Sequence, residues 1–462
     1  MMNSNTVRGG MAILGAVLMQ ISVGEFSTLG TVLPHLVEYY KDLGQAVSMD
    51  HFIVIQIIWL LSSIAFAVFA VALKKVYGYK EVFMIFLMMA FIARILAAYI
   101  TNMHIFQLTY GLLLGGPQGA LLILPTYRCF KYYSKSSRHF IIGFTMTGYA
   151  IAPLILTKIA QTYLNPKADS SPPASTRIST YFIVQALACL AIGMSGWLMI
   201  LDPITHDSSR PSDMLANIEL VDVSHISVRE SSYHPAQRQD SYRSINSREE
   251  YEINLAFTST YQYAENILIS SVFWCMFVVE FTCYLLPIFV IMNFKTIYAM
   301  HSPAKVYDLN WILPIGAVFS CLSRPLIALL YHNIGYMPVS ITISALLLII
   351  SITNLLVEPH PWLHIFTLWS SLIPFGSQKA LYPLVTHTIH GTHGALAYGL
   401  VFTAFIASYT AVRLLNASLM AVIGYRPSLV VMAAVACLFY PAASRLAVID
   451  KMKRNEDKLA SN

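Results

Sequence analysis

Polarity along this chain changes on the scale of a whole bilayer. Apolar runs occupy about 11–36, 52–73, 82–101, 104–127, 140–160, 180–201, 267–293, 309–331, 337–357, 362–387, 395–421 and 427–447. Each is roughly 20 residues or longer, the length a helix needs to cross the hydrocarbon core. Ten-residue segments of alternating polarity, the mark of barrel strands, are absent. The pattern therefore predicts an all-α membrane protein with twelve transmembrane helices. One long polar segment, about 205–265 and rich in Ser, Arg, Asp and Glu, separates the sixth run from the seventh. It reads as a largely disordered linker. The expected organisation is a six-helix bundle over 1–204, the linker over 205–265, a second bundle over 266–448 and a tail over 449–462.

Composition agrees with this reading: 56% of the 462 residues are hydrophobic and 11% are charged. That balance excludes an ordinary soluble domain. Lys and Arg collect in LKKVYGYK (73–80), YRCFKYYSKSSRH (127–139), the linker and the tail RLAVIDKMKRNEDK (445–458). If the spans alternate, these segments share one side. That side is expected to be the cytosol, with both termini on it. Six scattered cysteines without CxxC spacing read as packing residues, and no metal site or cofactor is implied. The start MMNSNTVRGG runs straight into a spanning segment, so no cleaved leader is expected. Walker loops, nucleophile elbows and paired catalytic acids are missing, which argues against an enzyme and against nucleic-acid binding.

The halves repeat. His104-Ile105-Phe106-Gln107-Leu108 returns as His364-Ile365-Phe366-Thr367-Leu368, an offset of 364 − 104 = 260. At the same offset Gly116, Gln118, Ala120 and Leu121 fall on Gly376, Gln378, Ala380 and Leu381, and Gly119 falls on Lys379. LKKVYGYKEV (73–82) matches LYHNIGYMPV (330–339) at 330 − 73 = 257, and Glu25 matches Glu280 at 280 − 25 = 255. A duplicated six-helix unit places a substrate site between its halves near the bilayer midplane.

GAVLMQISVGEFSTLG in span one, GLLLGGPQGALLILP in span four, GFTMTGYAIAPLILTKIAQTYLNP in span five, SRPLIALLYHNIG in span eight and YGLVFTA in span eleven carry a resemblance. With the six-plus-six pattern, the chain resembles the major facilitator superfamily, and within it the oxalate/formate antiporter and monocarboxylate porter branch. It also departs from that pattern. The loop after span two keeps Gly78 and Lys80 but lacks the family's acidic and arginine residues. Oxalate carriers have a lysine where this chain has Phe405, and animal monocarboxylate porters have an aspartate where it has Ser320.

Arg324 matches the family's substrate-binding arginine, which the resemblance implies grips a carboxylate through two parallel hydrogen bonds. Its bland alternative is an interfacial or gate-closing arginine. Glu25 and Glu280 lie mid-span, where a carboxylate costs on the order of a few kcal/mol. They are read as proton-coupling residues near Arg324, or else as fixed salt bridges with Lys379 or Arg324. Lys379 is either a second anion contact or a neutraliser of Glu280. Gln118 and Gln378 are expected to line the cavity on equivalent faces, and Tyr398 joins the candidate substrate contacts. Trp59 reads as packing, Arg94 and Arg413 as interfacial or structural, and the histidines of HTIHGTHG (387–394) as a solvated loop.

The expected function is secondary active transport of a small monocarboxylate or related organic anion by alternating access, coupled to protons. A monomer in the plasma membrane is expected, with a small anion, the proton and the bilayer as its partners. The alternatives are a carrier of amino acids or other zwitterions, and a transport-inactive sensor or scaffold.

Overall fold

The computed structural model describes residues 4–134, 137–164, 177–200, 241–301, 312–358 and 360–461. Regular structure among the described residues is entirely helical. The first half comprises α1 (Ser4–Val23), α2 (Leu29–Asp42), α3 (Ile53–Tyr77), α4 (Tyr79–Ala97), α5 (Met103–Cys129), α6 (Arg138–Thr145), α7 (Thr147–Leu164) and α8 (Arg177–Met199). Helix α9 (Ser241–Ile269) precedes the second half: α10 (Ser271–His301), α11 (Ile312–Ile334), α12 (Tyr336–Leu356), α13 (Pro361–His390), α14 (Gly394–Val401), α15 (Thr403–Val422), α16 (Tyr425–Leu438) and α17 (Tyr440–Ser461). Ten helical segments among the described residues are long and apolar enough to cross a membrane. Helices α4 and α13 complete the twelve. They differ from the ten in what they carry: α4 has three charged residues, Lys80, Glu81 and Arg94, and α13 has Lys379 amid serines, threonines and histidines.

Four spans are interrupted: the twelfth breaks into α16 and α17 at Phe439, and the other three break as follows. Span one breaks into α1 and α2 at the 3-10 turn Gly24–Thr28, where the Thr28 hydroxyl donates to the Glu25 carbonyl at 2.7 Å. Span five breaks into α6 and α7 at Met146. Thr145 and Thr147 flank it, and their hydroxyls bond back to carbonyls of Ile141 (2.8 Å) and Phe144 (2.6 Å), a pattern that bends helices. Span eleven breaks at Phe402. The interval 402 − 146 = 256 makes these two breaks repeat equivalents.

Glycines set the repeat in three dimensions. Gly78 (φ +89°) separates α3 from α4 and Gly335 (φ +84°) separates α11 from α12, a left-handed corner that L side chains resist. At Gly115 a Cβ would lie 2.0 Å from Ser62 Oγ and 2.3 Å from the Trp59 carbonyl; at Gly376 it would lie 2.4 Å from both Ser323 Oγ and the Ser320 carbonyl. Gly399 likewise abuts Ala67 as Gly143 abuts Ala328. These contacts give an offset of 376 − 115 = 323 − 62 = 328 − 67 = 261. The register of 260 expected for spans four and ten is therefore one residue short here: Lys379 corresponds to Gln118 rather than to Gly119, and Ser320 to Trp59. Since Gly335 follows Gly78 by only 257, α11 ends four residues earlier than α3, about one turn.

The linker expectation fails in part. Residues 205–240 lie outside the described residues, but 241–269 form α9. Its Phe257 packs on Phe69 at 5.5 Å, and Thr260, Ala264 and Ile267 are buried at helical spacing. Lys75 Nζ donates to Thr260 Oγ1 at 3.1 Å, and Tyr263 stacks on His393 at 3.8 Å. Helix α9 thus touches α3 of the first half and α14 of the second. Between the halves, α6 and α7 pack on α11, and α3 packs on α14 and α15.

Candidate functional site

The residues of the 3-10 turn in span one face opposite ways. Phe26 meets Phe405 and Tyr409 of the second half edge-on, at 6.1 and 5.6 Å. Glu25 turns back into the first half, 2% exposed, where Arg94 Nε donates to its Oε2 at 2.8 Å and the Tyr110 hydroxyl donates to its Oε1. Arg94 Nη2 also donates to the Ser22 carbonyl at 2.7 Å. The partners expected for Glu25, Lys379 or Arg324, are not the ones it has. Arg94, expected to be interfacial or structural, is buried and forms the ion pair.

Glu280 is its repeat counterpart and has a different setting. It is fully buried, and neither carboxylate oxygen has a hydrogen-bond partner among the described residues. The repeat explains why. Counted from the Gly78 and Gly335 corners, Arg94 corresponds to Ser351 (94 + 257), whose hydroxyl bonds its own helix at the Leu347 carbonyl, 2.9 Å away. Tyr110 corresponds to Ser371 (110 + 261), which bonds the Leu368 carbonyl at 2.8 Å. Two serines stand where the first half keeps an arginine and a tyrosine, so Glu280 has lost both answering groups.

Gln118 closes a hydrogen-bonded chain: Trp59 Nε1 donates to its Oε1 at 2.8 Å, and its Nε2 donates to the Tyr149 hydroxyl at 3.3 Å. Trp59, read from sequence as packing, is therefore also a donor. In the second half the corresponding residues are Ser320, Lys379 and Phe405, taking Tyr149 to Phe405 by the interval of 256. Phe405 has no hydroxyl, and the Lys379 ammonium sits instead over its ring at 3.9 Å. The rings of Tyr149 (5.0 Å), Phe375 (5.1 Å), Phe402 (5.2 Å) and Tyr284 (5.8 Å) complete a cage. Each such contact is worth roughly 0.5–2 kcal/mol. Lys379 Nζ has no hydrogen-bond partner among the described residues.

Arg324 is 1% exposed on α11. Its Nη1 donates to the carbonyl of Met146, at the break in span five, and its Nε is buried without a partner among the described residues. Its guanidinium lies 6.0 Å from the Tyr149 ring, so that one ring of the first half borders both cations of the second. Glu280 and Arg324 both lie within electrostatic reach of Lys379. Of the other sequence candidates, Tyr398 is buried within electrostatic reach of Glu280 and Arg324. Gln378 is buried, with its Oε1 unpartnered among the described residues. The structure thus brings Arg324, Lys379, Glu280 and Tyr398 together and ties Glu25 elsewhere.

The histidine segment is not a solvated loop. His387 packs on Tyr127 (5.8 Å) and Phe130 (4.7 Å) of the first half, and His393 stacks on Tyr263. Nearby, His139 faces Tyr331 and His332 across the same boundary, at 5.6 and 5.2 Å. Repeat equivalence is the sequence signal for Glu280; the aromatic cage has none, because Tyr149, Tyr284, Phe375 and the pair Phe402 and Phe405 come from four separate stretches of the chain.

A model of the Major Facilitator Superfamily matches residues 15–377. No curated protein sequence matches the chain significantly. Among solved structures, the fold is similar to the proton:xylose symporter XylE (TM-score 0.62, 12% identity, 94% of each chain covered). It is similar to the fucose:proton symporter FucP of E. coli (TM-score 0.61, 14% identity, 96% of this chain and 99% of that one). It is also similar to the human organic anion transporter MFSD10 (TM-score 0.56, 12% identity, 96% of this chain and all of that one). At such identities the likeness is one of fold. With a family match across more than half its length, this multi-pass membrane protein belongs to the Major Facilitator Superfamily and is a transporter, not an enzyme.

Proposed function

We propose that the protein carries a small monocarboxylate or related organic anion by alternating access, in the manner of the oxalate/formate and monocarboxylate branch, with a coupled proton. The observation that carries this reading is the pair Arg324 and Lys379. Both are buried, both border Tyr149, and each keeps a nitrogen without a partner among the described residues. Two cations against Glu280 leave the cluster one positive charge in excess, which one carboxylate neutralises. Arg324 supplies the two-point grip and Lys379 the second cation. Tyr398 and the amides Gln118 and Gln378 complete the polar lining.

For the proton, the support favours Glu280 over Glu25. A carboxylate buried without a partner is where a proton relieves the cost of charge, whereas Glu25 is already answered by Arg94 and Tyr110. XylE and FucP are themselves proton symporters by name. In this reading the halves 1–204 and 266–448 rock about the site as single units, in a monomer of the plasma membrane with both termini cytosolic.

Uptake of labelled lactate, pyruvate or formate into proteoliposomes under an inward proton gradient tests the assignment. Arg324→Ala abolishes uptake, and Glu280→Gln leaves exchange while removing the response to the gradient. Uptake unaffected by Arg324→Ala refutes the anion site. A second reading draws on the same unpartnered Glu280: a zwitterion whose ammonium binds this acid while Arg324 takes its carboxylate. Amino acids would then compete for uptake, and Glu280→Gln would abolish binding rather than coupling.

A further inference from the structure

We propose that the main-chain carbonyl of Met146 is the positioning group for Arg324. It holds Nη1 so that the edge formed by Nε and Nη2 is presented to the transported carboxylate, and it does so only while span five of the first half rests on α11. The inference builds on the assignment of Arg324 as the anion's contact.

Arg324 belongs to the second half, yet the hydrogen bond its Nη1 makes and the ring bordering its guanidinium both come from one short stretch of the first, Met146 to Tyr149. Met146 sits where the ladder of span five is interrupted by its flanking threonines, and a carbonyl oxygen has a second lone pair for an incoming donor. The approach is close: a Cβ on Gly143 would lie 2.7 Å from Ala328 Cβ and 3.0 Å from Pro325 Cα. No side chain can be interposed there. Anchoring Nη1 fixes the guanidinium plane, and the atom left buried and unpartnered is Nε. Nε and Nη2 lie on one edge of the fork and match the two oxygens of a carboxylate. Tyr149 is itself held from behind by Gln118, which Trp59 holds in turn. The first half therefore contributes a fixed mould, and the second half contributes the charge.

A switch in affinity follows. When the halves part along α6, α7 and α11, Arg324 loses both its anchor and its neighbouring ring, and a side chain with many rotamers is no longer preorganised. The anion is held tightly in the conformation seen here and weakly in the one that opens this contact.

The test weakens the carbonyl without altering a side chain. Nonsense suppression at position 147 with the 2-hydroxy acid analogue of threonine converts the amide after Met146 into an ester, whose carbonyl is a poorer acceptor. Labelled pyruvate uptake by the full-length carrier should show KM raised about three- to tenfold with Vmax within about twofold, the loss of one charge-assisted bond. Tyr149→Phe, which keeps the ring but loses the Gln118 bond, should raise KM less than Tyr149→Leu does. An ester carrier with unchanged or lowered KM overturns the positioning role, as does an equal response to Phe and Leu at 149. If Arg324→Ala is inactive while the ester is silent, only this inference falls; if pyruvate uptake is indifferent to Arg324→Ala, the anion assignment falls with it.

Discussion

Arg94→Leu should be among the most damaging single substitutions in the first half. The guanidinium makes its bond to Glu25 Oε2 at 2.8 Å and another to the Ser22 carbonyl at 2.7 Å, in a site where both side chains are 2% exposed. Leucine removes those donors and leaves a buried carboxylate answered by the Tyr110 hydroxyl alone. Breaking one side of a buried pair costs about 3–5 kcal/mol, whereas replacing both partners by apolar residues of similar size is often nearly neutral. The double substitution Glu25→Leu with Arg94→Leu should therefore recover at least about 2 kcal/mol of the loss, a coupling that a double-mutant cycle reads directly. In detergent, the apparent Tm of purified protein should fall by roughly 5 °C for Arg94→Leu on the entropy scale of soluble proteins, and largely return in the double mutant. An Arg94→Leu protein that melts with the wild type, or a double mutant no better than the single, would refute the claim that this pair pins the broken first span.

Two further outcomes can be read from the same preparations. The pKa of His393, in the turn after α13, is pushed below its ordinary value by burial, then by Lys75 and Lys74. The folded state thus prefers the neutral ring, and the stability this gives is complete above the unfolded value of about 6.5 and is lost as pH falls below it. Protection factors for hydrogen exchange in α9, corrected for the intrinsic pH dependence, should fall as pH drops below about 6.5 and the stack on Tyr263 is charged, and His393→Gln should flatten that dependence; wild-type protection factors constant in pH contradict it. Gly115→Val should cut the yield of monodisperse protein severely, because its Cβ would lie 2.3 Å from the Trp59 carbonyl, whereas Gly10→Ala, with nothing within 4 Å, should be silent.

Much of the fold could be read from the chain because hydropathy over 20 residues is a strong signal and because Gly78 and Gly335 mark equivalent corners. Helix α9 was missed because its composition is that of a linker. Its stripe at 257, 260, 264 and 267 was visible, but the surface that buries it is supplied by distant α3 and α14. Sequence position puts Arg94 near a span end, which holds within α4; it does not reveal that α1, α4 and α5 converge at the 3-10 turn, so the end of one span meets the middle of another. The one-residue error in register came from aligning the starts of spans four and ten, where HIF recurs, rather than the glycines that fix how α5 and α13 pack.

The corrected register shows where duplication was followed by divergence. In the first half two sets of polar groups answer one another: Glu25 with Arg94 and Tyr110, and Gln118 with Trp59 and Tyr149. In the second half the corresponding partners are Ser351, Ser371, Ser320 and Phe405, none of which answers Glu280 or Lys379 with a hydrogen bond. A buried polar group without a partner is costly, and its persistence in a membrane interior is explained when something outside the chain completes it. The charge is not symmetric: the second half sets Arg324 and Lys379 against Glu280, whereas in the first Glu25 and Arg94 neutralise each other. In the proposed reading the charged groups that bind belong to the second half, and the first acts on them through Met146 and Tyr149. Restoring the lost partners should close the second half as the first is closed. A carrier with Ser351→Arg and Ser371→Tyr gains an ion pair for Glu280, and it should lose its response to the proton gradient before it loses its fold.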